Sequence, residues 1–245
     1  MNEKLDSKEI QIARFRSSSR LSSKMLFAVL TLVALATLLC KYSITGEIFV
    51  SDILDIASSK SNKTVYANSS LKFGVSSQEQ CEEDKEFLIK TIGQQFKDLK
   101  DARCTKQEYE NFFEASIKIP MVKLEDKEFK PQPGLLNITV KVADKIKVGL
   151  YLSSESFNSL KTAIKEKYWS TINIDEFTLG MNLVNDSKTK LKIEVASVYM
   201  DNKPFPKLEA VDIEPKSKVS LRLSNVLRDA VYENGKGDFL QLAKQ

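Results

Sequence analysis

Hydrophobic positions along this 245-residue chain follow several patterns in turn. Residues 25–40 read MLFAVLTLVALATLLC, sixteen residues with no charge and no polar face. After them Ile44, Gly46, Ile48 and Val50 alternate and predict a strand. Ser51-Asp52 opens a short amphipathic helix carrying Ile53, Leu54, Ile56 and Ala57. Residues 58–70 are rich in Ser, Asn and Lys and read as a linker or long loop, before a short strand at Leu71, Phe73 and Val75. Ser77, with Gln80 three places on, marks a helix start. Glu79, Glu82, Glu83 and Asp84 crowd its first turns, where the helix dipole favours anions. Cys81, Leu88, Ile92, Phe96 and Leu99 share one helical face, which predicts a single helix running to residue 99 with Cys104 in the loop beyond.

Residues 105–111 are polar and helix-competent, and Ala115, Ile117 and Ile119 predict an edge strand ending at Pro120. Pro131-Gln132-Pro133-Gly134 is the sharpest turn signal and the place where the body would subdivide. A hairpin follows, from Leu136 to Val142 and from Ile146 to Leu152, then a helix capped by Ser154 with Phe157, Leu160, Ile164 and Tyr168 on one face. From residue 171 strands dominate: Ile172 and Ile174, then Phe177 to Leu183, Leu191 to Tyr199, 208–213, 219–223 and a last one at Phe239 to Leu242. A helix after Ser224 interrupts them and closes at Asn234-Gly235. The fold class this predicts is α+β: a single N-terminal transmembrane helix, then a strand-rich exported domain with two or three amphipathic helices.

Charge divides the chain in the same way. Residues 1–24 carry six basic and three acidic side chains, whereas the remainder carries 31 and 30. A near-neutral body argues against nucleic acid as a partner. As a helix, residues 25–40 would span about 24 Å. That is short of a hydrocarbon core of roughly 30 Å, with Lys24 and Lys41 able to snorkel and Tyr42 suited to the interface. The first reading is an uncleaved signal anchor: a cytoplasmic basic tail at 1–24, a membrane segment at 25–40 and a periplasmic domain at 41–245. Two other outcomes stay open, cleavage after Ala34-Leu35-Ala36 and lipidation at Cys40. Each places the body outside the cytoplasm.

The chain has no histidine, which removes Ser-His-Asp and Cys-His catalysis and most zinc chemistry. Cys81 and Cys104 are the only cysteines in the body, and an oxidising compartment allows them to pair; two separate buried thiols are the alternative. Asp52 and Asp55 offer two carboxylates to a cation, though helix capping and solvation account for them more simply. Sequons stand at Asn62, Asn68, Asn137 and Asn185. Tyr168 and Trp169, upstream of Asp175 and Glu176, make the best candidate ligand patch, a stacking platform beside two acids.

Cys40-Lys41 followed by residues 45–58 (TGEIFVSDILDIAS), the Cys81 helix, the Cys104 loop and the strand into Ile119-Pro120 together resemble an uncharacterised family of small phage-encoded and bacterial envelope lipoproteins. The similarity covers about residues 40–122. It implies a lipidated N-terminal cysteine, here Cys40, but Leu39 departs from the small residue usual at that place. It carries no activity with it.

The expected function is therefore a membrane-anchored envelope protein of a Gram-negative bacterium or its phage. It would sit in the inner membrane with its C-terminal domain in the periplasm, binding or scaffolding without catalysis or cofactor. Its partners would be membrane lipid and an envelope protein. An anchored carboxylate-dependent hydrolase of envelope polymers is the second reading, and a glycosylated eukaryotic type II membrane protein the third.

Overall fold

The computed structural model describes residues 42–60, 63–124 and 131–243. Thirteen strands form one sheet: β1 (Tyr42–Phe49), β2 (Thr64–Val75), β3 (Lys97–Gln107), β4 (Glu110–Lys123), β5 (Leu136–Val142), β6 (Ile146–Leu152), β7 (Phe177–Val184), β8 (Leu191–Val195), β9 (Val198–Met200), β10 (Lys203–Phe205), β11 (Glu209–Ile213), β12 (Lys218–Leu223) and β13 (Lys236–Leu242). Their order is β10-β9-β12-β7-β1-β2-β4-β5-β6-β13-β8-β11, with β3 added on β4.

The two ends of that order meet. β8 and β9 are halves of one stretch, 191–200, interrupted only by Ala196 and a left-handed Ser197 (φ 56°). Its first half pairs with β13 (Leu240 opposite Val195) and its second with β12 (Leu223 opposite Val198). One kinked segment thus bridges both flanks and turns the sheet into a nearly closed barrel, which leaves few open edges to protect. This overturns the α+β expectation. Among the described residues the helices are few: α1 (Val50–Ser58), α2 (Gln78–Glu83), α3 (Lys85–Gly93), α4 (Ser154–Tyr168) and α5 (Asn225–Asn234), with a 3-10 turn at Ile174–Glu176. Among the described residues no helix is long and apolar enough to cross a membrane. Residues 25–40, on which the transmembrane expectation fell, lie outside the described residues, as does Cys40. The described residues form a single compact unit, and the turn at 131–134 lies inside it.

Alternation sorts the strands. In β1, Tyr42, Ile44 and Ile48 face a single core while Ser43, Thr45, Glu47 and Phe49 face outward. Tyr42 stands opposite Phe73 on β2 and Phe177 on β7, and their rings meet at 4.5 and 4.8 Å. The starts of β1, β4 and β7 and the ends of β2 and β12 therefore mark one end of the barrel. α2 and the 3-10 turn continue from strands at that end, and α5 follows β12 there. α1 leaves β1 at the other end and packs against β1, β2, β4 and β5 through Val50, Ile53 and Ile56.

Several local expectations fail for physical reasons. The helix expected from 77 to 99 breaks at Asp84 and ends at Gly93; Leu99 belongs to β3. The expected linker at 58–70 is largely β2, whose Asn68 and Ser70 look linker-like because they face solvent. Residues 105–111 form strand and turn, not helix. β4 passes through Pro120, which falls between its last β3 partner, Lys118, and its first β5 partner, Met121. A strand tolerates a residue without N–H at such a change of neighbours. Ser153, not Ser154, caps α4.

Two sequon asparagines are structural. Asn137 is fully buried and exchanges hydrogen bonds with the Gln132 backbone at 2.8 and 3.0 Å. Asn185, equally buried, donates to the carbonyls of Thr189, Ile213 and Glu214 at 3.0–3.1 Å and so ties the end of β7 to the end of β11. Asn185→Ala is expected to destabilise the domain by about 2–4 kcal/mol, because it orphans several carbonyls at once. Urea unfolding checks this, and a change below about 1 kcal/mol would contradict it.

Candidate functional site

β3 carries the sequence Asp98-Leu99-Lys100-Asp101-Ala102-Arg103, an acid-apolar-base triplet used twice. Both aspartates adopt left-handed backbone (φ 54° and 53°), a region Asp enters more readily than most residues. Each marks a register shift against β4: Lys97 stands opposite Lys118, Lys100 opposite Ser116, and Arg103 opposite Glu114. Two bulges in succession reset the alternation. Leu99 and Ala102 therefore pack on the core while Asp98, Lys100, Asp101 and Arg103 line the outer face.

The result is a groove on the outside of the barrel, with β3 as its wall. Its two neighbouring cavities, about 410 and 430 Å³, share Ser70 and Ser116. The floor is a row of hydroxyls and amides contributed by the outward positions of β1, β2, β4 and β7: Thr45, Asn68, Ser70, Ser116 and Asn182. Ion pairs stand along it, Lys118 with Asp98 at 3.3 Å and Lys218 with Glu47 at 2.7 Å. Among the described residues, no ion pair takes up Lys100 or Asp101. Such a lining can donate to and accept from a neutral polar ligand along its whole length, and concentrates charge of neither sign.

At one end of the groove, Glu114 receives Arg103 at 2.9 Å, Gln107 at 2.8 Å and Lys72 at 3.2 Å. Burial alone would raise its carboxyl, but the hydrogen bonds and charges of Arg103 and Lys72 outweigh burial and hold it below the usual glutamate range. A carboxyl lowered on folding stabilises fully above the unfolded value, about pH 4.3, and stops doing so as pH falls through the folded one. Glu114→Gln is therefore expected to lower stability at neutral pH and to make the acid side of the stability profile shallower. Denaturant melts from about pH 7 down to pH 3 test this, and parallel profiles for the two proteins would refute it.

The wall is covalently fixed. Cys104 of β3 is joined to Cys81 of α2, the pairing expected from sequence, with their Cα atoms 5.9 Å apart.

The expected ligand patch does not assemble. Tyr168 lies edge-on to Phe87 at 5.9 Å, and its hydroxyl is pushed up by burial and then by the charge and hydrogen bond of Asp84. Trp169 follows in left-handed backbone (φ 55°) and is 92% exposed. Glu176 is used in a capping box, accepting from the Asn173 N–H at 2.9 Å, while the Asp175 carbonyl accepts from Arg228 at 2.8 Å. Among the described residues no hydrogen bond, ion pair or ring contact joins Trp169 to either acid. Asp55 pairs with Lys63, and Asp52 is raised by burial and then by the charges of Asp186 and Asp55.

A family model described as a domain of unknown function, DUF7424, matches residues 42–245. The chain belongs to the DUF7424 family. The match spans the whole barrel, from the first residue of β1 past the last of β13, and so extends well beyond the 40–122 stretch that carried the resemblance. No curated protein and no solved structure matches the chain. Sequence reasoning missed the groove of this DUF7424 domain. Its signal was the repeated triplet at 98–103, which fits neither a period of two nor one of 3.6.

Proposed function

We propose that this DUF7424 protein is held at an envelope membrane through residues 25–40 and that its barrel is exported and binds or scaffolds an envelope component through the groove beneath β3. The observation that carries the reading is the Cys81–Cys104 bond beside that groove. Structural disulfides belong to oxidising compartments. A basic leader followed by an apolar run is the sequence form that delivers a domain to one. The groove supports the binding half, since hydroxyls and amides at Thr45, Asn68, Ser70 and Ser116 suit a neutral polar ligand. Glu114, engaged between two cations and an amide, serves to order the wall rather than to transfer protons. A bacterial or phage source, inner-membrane placement with the leader in the cytoplasm, and acylation at Cys40 are finer parts of the same reading.

Protease added to spheroplasts is expected to digest the barrel and spare the leader; a protected barrel would overturn the localisation. Intact mass separates a retained leader, expected here, from a start at Thr37 or an acylated start at Cys40. For the groove, the full-length protein is expected to retain an envelope component that Ser116→Trp loses, since the indole fills the space shared by both cavities. Equal retention by a folded Ser116→Trp protein removes the groove from the function.

A further inference from the structure

We propose that the end of the barrel at which β1 begins lies against the bilayer that anchors the chain, with Trp169, Tyr109 and Val226 entering its interfacial layer. The proposal rests on the membrane-anchored reading and adds which surface meets the lipid.

Chain length gives the first argument. Only Lys41 separates Cys40, the last residue of the apolar run, from Tyr42, the first of β1. Two residue steps reach at most about 7 Å. The distance is the same whether the run stays in the bilayer or Cys40 carries acyl chains. The start of β1 is thereby kept at the membrane surface.

Register gives the second. Tyr42 stands opposite Phe73, and β2 continues to Val75, opposite Asn111 of β4. Tyr109 sits two residues farther out, in the turn joining β3 to β4. It overhangs Tyr42 by about four strand residues, roughly 13 Å along the strand. Tilted about 35–45°, as barrel strands usually are, the overhang along the barrel axis is still roughly 9–11 Å, more than the connection, so the turn reaches the headgroup layer. The segment from Trp169 to the 3-10 turn runs over the same end. It leaves Tyr168 beside Phe87 and leads into Phe177, stacked on Tyr42 at 4.8 Å. Val226 opens α5 four residues after Arg222, which pairs with Gly180 of β7.

Exposure gives the third. Trp169, Tyr109 and Val226 are the three most exposed large hydrophobic side chains of the described residues, at 92, 90 and 77%, against 54% for the next, Leu208. All three come from this end. Trp169 also holds a left-handed backbone at the end of α4, where glycine or asparagine is usual, and leaves its ring outside the core. The fold alone gains nothing from that ring. An interfacial layer is where Trp and Tyr side chains are favoured. Glu79, Glu82 and Glu83 of α2 are offset by Lys165 and Lys167 in the last turn of α4, so this end concentrates charge of neither sign and the contact falls to its apolar side chains, on zwitterionic lipid.

Trp169 is the only tryptophan in the chain, which makes it its own probe. The full-length protein is to be reconstituted in phosphatidylcholine vesicles, floated, and its emission read with lipids brominated near the headgroup end of the acyl chain. Blue-shifted emission, quenching by the brominated lipid and protection from aqueous iodide are expected. Moving the probe to the β3–β4 turn, with Tyr109→Trp in a Trp169→Phe background, is expected to give the same quenching. A chain that floats yet shows water-like emission, iodide access and no bromine quenching at either position overturns the proposal and leaves the anchor standing. A chain that does not float overturns the anchor, and the proposal with it.

Discussion

Changing Cys81 and Cys104 together to serine is expected to lower stability by about 3.5 kcal/mol, the loop-closure value for a cross-link of this span. The two are 23 residues apart in sequence. The bond matters here because of what it holds. β3 is added to the sheet through β4 alone, and its pairing is interrupted twice, at Lys97/Lys100 and at Lys100/Arg103. Past the second bulge, Cys104 is the residue that fastens the wall to α2. Both cysteines are buried, at 1 and 9% exposure, so serine hydroxyls add a desolvation penalty and alanine is the cleaner comparison. Reductant added to the native protein is expected to lower its melting temperature in parallel. Amide exchange in β3 should accelerate more than in β1 or β7, because the bond acts on the wall. Native, unreduced protein that labels at both cysteines without unfolding would show that no bond exists, and the argument for an oxidising compartment would lose its main support.

Period-two strands such as β1 and β12 were legible in the sequence because each buries one face against a single core, and β5 and β6 because their apolar residues alternate even though Asn137, Thr139 and Gly149 between them are buried as well. The caps Ser77 and Ser224 were legible too: each side chain accepts a hydrogen bond from the N–H three residues on. What did not show was anything depending on partners distant in sequence. β2 looked like a linker because its outward positions are Asn and Ser, and only β1 and β4 on either side make them a floor. Leu99 sits at helical spacing from Ile92, yet the aspartates around it take left-handed backbone and place it on a strand. The closure of the barrel depends on a kink at Ser197 that no local pattern announces. The acids expected to flank an aromatic platform went instead to a local cap, Glu176 accepting from the Asn173 N–H, and an exposed turn, where Arg228, 53 residues farther along than Asp175, takes the Asp175 carbonyl. The groove itself needed two bulges in one strand, for which periodic templates have no place.

Arg228 is the other position where a single change is expected to have a large effect. It is 6% exposed, an unusual setting for a guanidinium, and it makes the join that the barrel most needs. α5 connects β12 to β13 along the chain and packs on β13, β6 and the 3-10 turn, beside the flanks that residues 191–200 bridge. From that helix Arg228 donates to the carbonyls of Asp175 at 2.8 Å and Phe177 at 3.3 Å, and its other nitrogens meet Asp229 at 2.8 Å. The Asp229 side chain is 49% exposed, so that pair adds little. The carbonyls are different, because they lie at the entry to β7 and lose their donor if Arg228 is removed. Arg228→Met keeps most of the stem and deletes every hydrogen bond. It is expected to cost about 3 kcal/mol, the sum of two orphaned acceptors at ordinary values. Arg228→Lys is expected to recover part of the loss, since both carbonyls accept from a single nitrogen, Nη1, which an ammonium with three donors can replace, while the bonds to Asp229 go. Amide exchange in β7 and α5 is expected to rise together in Arg228→Met, while β5 and β6 stay protected. A loss under about 1 kcal/mol with unchanged exchange in β7 would mean that the helix is held by Leu227 and Val231 alone and that the guanidinium is incidental to closure.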